Sequence, residues 1–102
     1  MYRLVAMDLD DTLLTDGLTV TEPTLRALEE AAAMGVRLTL ATGRSYRSAS
    51  RIAESIGLKV PLITFQGSLV KDPADGTVLY ERFVPPETAR RVIDFCLERG
   101  LH

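Results

Sequence analysis

An α/β fold with a Rossmann-like, doubly wound parallel sheet is predicted by three observations in this 102-residue chain. Short apolar runs alternate with helix-patterned segments in the order strand, helix, strand, helix, strand, the order of βαβ units. Both intervening helical segments end at a glycine, Gly35 and Gly57, where a helix stops. Polar clusters follow the first two strands, in "MDLDDTLL" and "ATGR". Sheets of this type bind ligands outside the carboxyl ends of their strands.

The elements follow in order. "YRLVAMDL" is apolar enough for a strand buried on both faces. "EPTLRALEEAAAMG" is a helix with Thr21 as N-cap and Pro23 in its first turn; Leu25, Leu28 and Ala32 share one face. "VRLTLAT" is the second strand, and its alternation of Val36, Leu38 and Leu40 with Arg37 and Thr39 leaves its burial open. "SYRSASRIAESIG" is the second helix, with Ser45 as N-cap, and "PLITF" is the third strand. "SLVKDPADGTVLYERF" forms a β-hairpin turning at Pro73–Gly76. A last helix covers "PPETARRVIDFCLERG", with Pro85 and Pro86 at its start.

Composition narrows the function. The chain is 46% hydrophobic and 25% charged with a net charge of -2, which is ordinary for a soluble protein and offers no basic surface for nucleic acid or anionic lipid. No apolar run approaches the roughly 20 residues of a membrane span, and the start does not pattern as a signal peptide. A cytoplasmic protein is expected. Cys96 is the single cysteine, so no internal disulfide forms; at helical spacing from Val92 it reads as a small buried hydrophobe. His102, the only histidine, reads as a frayed end.

Two polar clusters carry the chemistry. Asp8 and Asp10 are two apart, so on extended backbone their side chains point the same way. That spacing suits one oxygen-ligated divalent cation, for which Mg²⁺ is the hard ion that accompanies carboxylates and phosphates. It also suits a nucleophilic carboxylate beside a proton-transferring one. The plain alternative is an acidic strand-to-loop junction whose carboxylates bond their own backbone. The position directly after a buried strand favours function for Asp8 and Asp10. Asp11 and Asp16 read as turn residues, and Thr12 as a group able to orient the turn. In the second cluster, Gly43 admits close backbone approach, a helix N-terminus follows, Thr42 supplies a hydroxyl and Arg44 a cationic fork, together a clamp for phosphate. Leu9, between the two aspartates, is assigned to the phosphate-binding set with Thr42, Gly43 and Arg44. Arg47 and Arg51 share a helix face with Arg44 and read as a solvated stripe.

Together these residues resemble the haloacid dehalogenase superfamily of phosphotransferases. "DLDDTLL" matches its first motif, D-x-D-x-T, and "LTLATGR" is similar to its second, a strand ending in Thr or Ser. The wording of both motifs and the third-strand loop are most like the Cof-type branch, whose hydrolases carry a large α/β cap inserted after the third strand. The resemblance implies that residues 1–82 are the N-terminal half of the core with its hairpin, and that residues 83–102 begin the cap. It implies Asp8 as nucleophile, Asp10 as general acid and base, and Mg²⁺ held by the Asp8 carboxylate and the Asp10 backbone carbonyl. Thr42 would hold the transferring phosphoryl group of a small phosphorylated metabolite. Where that branch often carries Asn-Gly, this chain has Gln66-Gly67, so the resemblance leaves open a substrate-contacting role for Gln66. The family's later lysine and acidic pair have no counterpart, since Lys59 and Lys71 fall before the third strand and in the hairpin. The expectation is therefore a Mg²⁺-dependent phosphatase of which this chain is an N-terminal portion. The alternatives are a catalytically incomplete fragment that binds cation or phosphate, and a phosphotransferase or mutase using the same site. A phosphoacceptor receiver fits less well, because the third strand ends in "ITFQGS" without an acid. Oligomeric state is not written in the sequence.

Overall fold

The structure, a computed structural model, describes residues 1–101; the expectation for His102 lies outside them. Strand β1 (Leu4–Met7) pairs in parallel with β2 (Arg37–Leu40), from Leu4 opposite Arg37 to Met7 opposite Leu40. Helix α1 (Glu22–Ala33) connects them, and α2 (Tyr46–Ser55) leads to β3 (Leu62–Thr64). β3 extends the parallel sheet through a single bridge, Ala41 to Ile63, where the Thr42 N–H donates to the Ile63 carbonyl at 3.0 Å. The sheet then turns antiparallel through β4 (Leu69–Lys71) and β5 (Val78–Glu81), and α3 (Pro86–Glu98) follows. The α/β expectation holds, with the hairpin as an antiparallel addition to the parallel strands.

The core explains where the first polar cluster sits. Leu9, Leu13, Leu14, Leu40, Ala49, Ala53 and Leu62 form one buried cluster. Three of these, Leu9, Leu13 and Leu14, are the leucines of "DLDDTLL", so the loop after β1 is nailed down by its apolar residues while its carboxylates stay exposed. Each buried leucine contributes about 1.5–3 kcal/mol relative to an exposed one. β2 is buried on both faces, and the hydroxyl of buried Thr39 is satisfied by the Pro61 carbonyl. Thr64, also buried, donates to the Leu69 carbonyl at 3.2 Å. The hairpin is closed by the Asp72 N–H on the Thr77 carbonyl, at 2.9 Å, with Gly76 at a φ of +77°. Lys71 adds a cation–π contact over the Tyr46 ring, 4.9 Å from its centre, tying the hairpin to α2.

Several local expectations are corrected. The first strand is shorter than "YRLVAMDL", because Asp8 already belongs to the following turn. It is not buried on both faces: Leu4 and Val5 are exposed, since β1 pairs with β2 alone among the described residues. On α1 the inward face is Leu25, Leu28 and Ala31, each half-buried, and Ala32 is exposed. Thr21 precedes α1, but its hydroxyl bonds Thr24 at 2.9 Å instead of capping the helix. Cys96 is half-buried, because α3 buries no residue fully. Ser45 does cap α2, accepting from the Ser48 N–H at 3.3 Å. No helix among the described residues is long and apolar enough to cross a membrane.

Candidate active site

The parallel register carries the ends of β1, β2 and β3 to one edge. The Ala41 N–H donates to the Met7 carbonyl at 2.8 Å, so Asp8 and Thr42 both follow the last paired residues of adjacent strands. Asp8 is extended, with φ -73° and ψ 156°, and its Oδ2 accepts from the Thr12 hydroxyl at 3.3 Å, the orienting role foreseen for Thr12. The chain then makes a turn over Leu9–Leu13, with the Leu14 N–H on the Leu9 carbonyl at 2.9 Å. Asp11 takes a left-handed φ of 59°, a conformation that Asp tolerates better than most residues, and so acts as a turn residue. Asp16 and Gly17 likewise occupy a turn, closed by the Leu18 N–H on the Thr15 carbonyl at 2.8 Å. The Leu9 side chain is fully buried in the core, which leaves its backbone as the part able to meet a ligand.

Arg44 joins the two clusters across 34 residues of sequence. Its Nε donates to Asp10 Oδ2 at 2.8 Å and its Nη2 to Asp10 Oδ1 at 2.6 Å, while Nη1 donates to Ser48 Oγ at 3.1 Å. This fork geometry is the strong, bidentate form of a charge-assisted pair. The hydrogen bonds from Arg44 hold the Asp10 carboxyl below the usual carboxylate range, and the same bonds push the Arg44 guanidinium up. As arranged, the pair favours the ionised form of Asp10. Asp8 is paired with no basic side chain among the described residues. Thr42 is buried, and its hydroxyl oxygen accepts from the Arg44 N–H at 3.1 Å, so the hydroxyl proton is free to donate. Arg47 and Arg51 are exposed and line a groove of about 330 Å³ together with Leu18, Arg44 and Ser48.

The oxygens available to a cation are few. Among the described residues no group of three or more His, Cys, Asp or Glu comes together. Arg44 engages the Asp10 carboxylate and no basic side chain engages that of Asp8 among the described residues, so the Asp8 carboxylate is open to a cation; the Asp10 backbone carbonyl is the second ligand that the resemblance implies. Mg²⁺ keeps several waters and commonly takes only one or two carboxylates from protein, so this sparse donor set fits it.

The sequence singles out Gln66 but not its contact with Gly43. A Cβ added to Gly43 would lie 2.5 Å from Nε2 and 3.0 Å from Cδ of Gln66, so the Gln66 carboxamide sits directly against Gly43. The loop after β3 is stitched to the "TGR" loop by the Phe65 N–H on the Arg44 carbonyl, at 2.9 Å, and the Gln66 N–H on the Thr42 carbonyl, at 3.2 Å. Among the described residues, the non-glycine positions with positive φ are Asp11, Leu18, Phe65 and Gln66, all in loops after β1 or β3. Left-handed outliers of this kind gather where surroundings impose a conformation for function.

Known proteins resemble this chain in sequence and in shape. One curated relative, the HMP-PP phosphatase of Yersinia pestis (strain Pestoides F), is 43% identical over 93 residues, covering 91% of this chain and 34% of the relative. Another, a 5-amino-6-(5-phospho-D-ribitylamino)uracil phosphatase of Bacillus subtilis (strain 168), is 32% identical over 100 residues, covering 97% of this chain and 37% of the relative. The chain thus spans a little over a third of the length of these relatives. Among solved structures, a haloacid dehalogenase-like hydrolase from B. subtilis superposes with a TM-score of 0.85 at 26% identity, over 96% of this chain and 34% of that one. A sugar phosphatase of HAD subclass IIB superposes with a TM-score of 0.82 at 26% identity, over 96% of this chain and 38% of that one. The family model described as haloacid dehalogenase-like hydrolase matches residues 5–102, and the chain belongs to that family.

Proposed function

We propose that the complete protein carrying this sequence is a Mg²⁺-dependent phosphatase that hydrolyses small cytoplasmic phosphate monoesters through an aspartyl phosphate on Asp8. The observation that carries this reading is the convergence of Asp8, the Arg44–Asp10 pair and the Thr42–Gly43 loop at one edge of the sheet. A carboxylate oxygen of Asp8 attacks phosphorus, the ester P–O bond breaks, and the leaving oxygen takes a proton from the Asp10 carboxyl. Asp10 then takes a proton from water as the water oxygen attacks phosphorus and the bond to Asp8 breaks. Arg44 occupies both Asp10 carboxylate oxygens, so proton transfer at Asp10 goes with a loosening of this pair. Thr42, by its hydroxyl proton, and the backbone at Leu9 and Gly43 orient the phosphoryl oxygens. Bound through the Asp8 carboxylate and the Asp10 carbonyl, Mg²⁺ would supply neutralisation of charge among those oxygens.

The relatives named above support a small phosphorylated metabolite as substrate, of the kinds their names give: HMP-PP, a phosphoribitylaminouracil or a sugar phosphate. Asp8→Asn in the complete protein tests the reading. Phosphate release from a panel of such esters should fall to background; near wild-type release would remove Asp8 from the nucleophile's role. Release of phosphate to water, not transfer to a sugar, separates hydrolysis from a mutase or phosphotransferase on the same site.

A further inference from the structure

We propose that Gln66 is a substrate-contacting residue whose carboxamide, seated against Gly43, donates to a phosphoryl oxygen of the bound monoester. The inference rests on the phosphatase reading of the site and adds a residue to it. Its first support is steric. Gly43 does not have a positive φ, so no backbone conformation demands glycine there. The group that a side chain at Gly43 would meet and have to push aside is the Gln66 carboxamide, with its nitrogen end nearest. The loop expected to admit a phosphate therefore also seats this amide.

The second support is conformational. Phe65 and Gln66 both have left-handed backbone, φ 50° and 57°, which is unfavourable for residues bearing a Cβ. Two in succession persist where surrounding structure holds them. Here the two hydrogen bonds to the carbonyls of Arg44 and Thr42 do so, and they carry Gln66 over the phosphate loop. The third support is chemical. Gln66 is exposed, so its amide N–H groups are open to a ligand. A neutral donor suits an anionic oxygen beside Asp8 and Asp10 without drawing on the charge of Arg44, which is spent on Asp10.

The test is calorimetric binding of inorganic phosphate, with Mg²⁺ present, to the complete protein and its variants. Gln66→Ala should weaken phosphate binding about tenfold, the scale of one hydrogen bond to a charged group. Gln66→Glu, nearly isosteric but anionic and without the donor, should weaken it further. Gly43→Ala should displace the carboxamide and weaken binding, and the double variant Gly43→Ala/Gln66→Ala should be no weaker than Gly43→Ala alone. Gln66→Gly relieves the left-handed backbone, so it should lose the same affinity with no fall in Tm, which separates contact from misfolding. Phosphate affinity within about twofold of wild type in both Gln66→Ala and Gln66→Gly, or fully additive losses, would overturn the proposal. So would a raised KM for p-nitrophenyl phosphate with unchanged affinity for inorganic phosphate, which would put the contact on the leaving group. A wild-type protein that binds no phosphate would refute the reading of the site itself. Loss of phosphate binding in Gln66→Ala alongside an active Asp8→Asn variant would refute only the nucleophile.

Discussion

Replacing Leu9 by alanine should unanchor both carboxylates by emptying the core beneath them. Leu9 has no exposed surface, packs with Leu13, Leu14, Leu40, Ala49, Ala53 and Leu62, and closes the turn through its carbonyl. The three carbons removed forfeit about 0.8 kcal/mol each of transfer free energy, about 2.4 kcal/mol together. The residual cavity brings the total to about 3–5 kcal/mol, since neighbouring side chains collapse only partly. With a urea dependence of about 1.5–2 kcal/mol/M, the unfolding midpoint should fall by about 2 M. Far-UV circular dichroism during urea titration of the complete protein reads this directly. Leu9→Met, close in volume, should cost under about 1.5 kcal/mol and preserve phosphate binding. The reasoning fails if Leu9→Ala lowers the midpoint by less than about 0.5 M. It also fails if Leu9→Met keeps the midpoint but loses phosphate binding, for then the side chain would act in the site and not in the core.

Arg44→Ala should raise the titration of the Asp10 carboxyl toward its ordinary value of about 3.9, observed by ¹³C NMR of the side-chain carboxyl. Arg44 depresses that titration in the folded state, so the pair's stabilisation is present above the unfolded-state pKa and is lost as pH falls through the folded-state value. The variant should lose this component of acid sensitivity, and an unchanged Asp10 midpoint would contradict the hydrogen-bonding account. Thr39→Val keeps the shape but leaves the half-buried Pro61 carbonyl without its donor, which should cost about 1 kcal/mol in thermal or urea unfolding.

The alternation of apolar runs with glycine-stopped helical segments was enough to read α/β architecture, because periodicity and chain punctuation are local properties. The same local pattern in "DLDDTLL" separates buried leucines from exposed carboxylates, and a parallel register then brings Asp8 and Thr42 to one edge. What local pattern does not carry is pairing at a distance. Arg44 reads in sequence as a fork free for phosphate, yet it is spent on Asp10, 34 residues away, because the two loops meet only once the strands align. The contact between Gln66 and Gly43 depends on left-handed backbone at two non-glycine residues, for which no residue type gives notice. The exposure of Leu4 and Val5 also escapes an apolar run, since burial is set by neighbours and β1 has one paired edge among the described residues.

The central claim is that Asp8 carries the phosphoryl group. It is tested most directly by quenching the complete protein in acid during turnover of a phosphate monoester and locating the phosphoryl group by peptide mass spectrometry. The account predicts one acid-stable, base-labile phosphoryl group on Asp8, absent in Asp8→Asn. A phosphoryl group on Asp10 or elsewhere, or its absence while rapid sampling shows turnover limited by the second step, would contradict it.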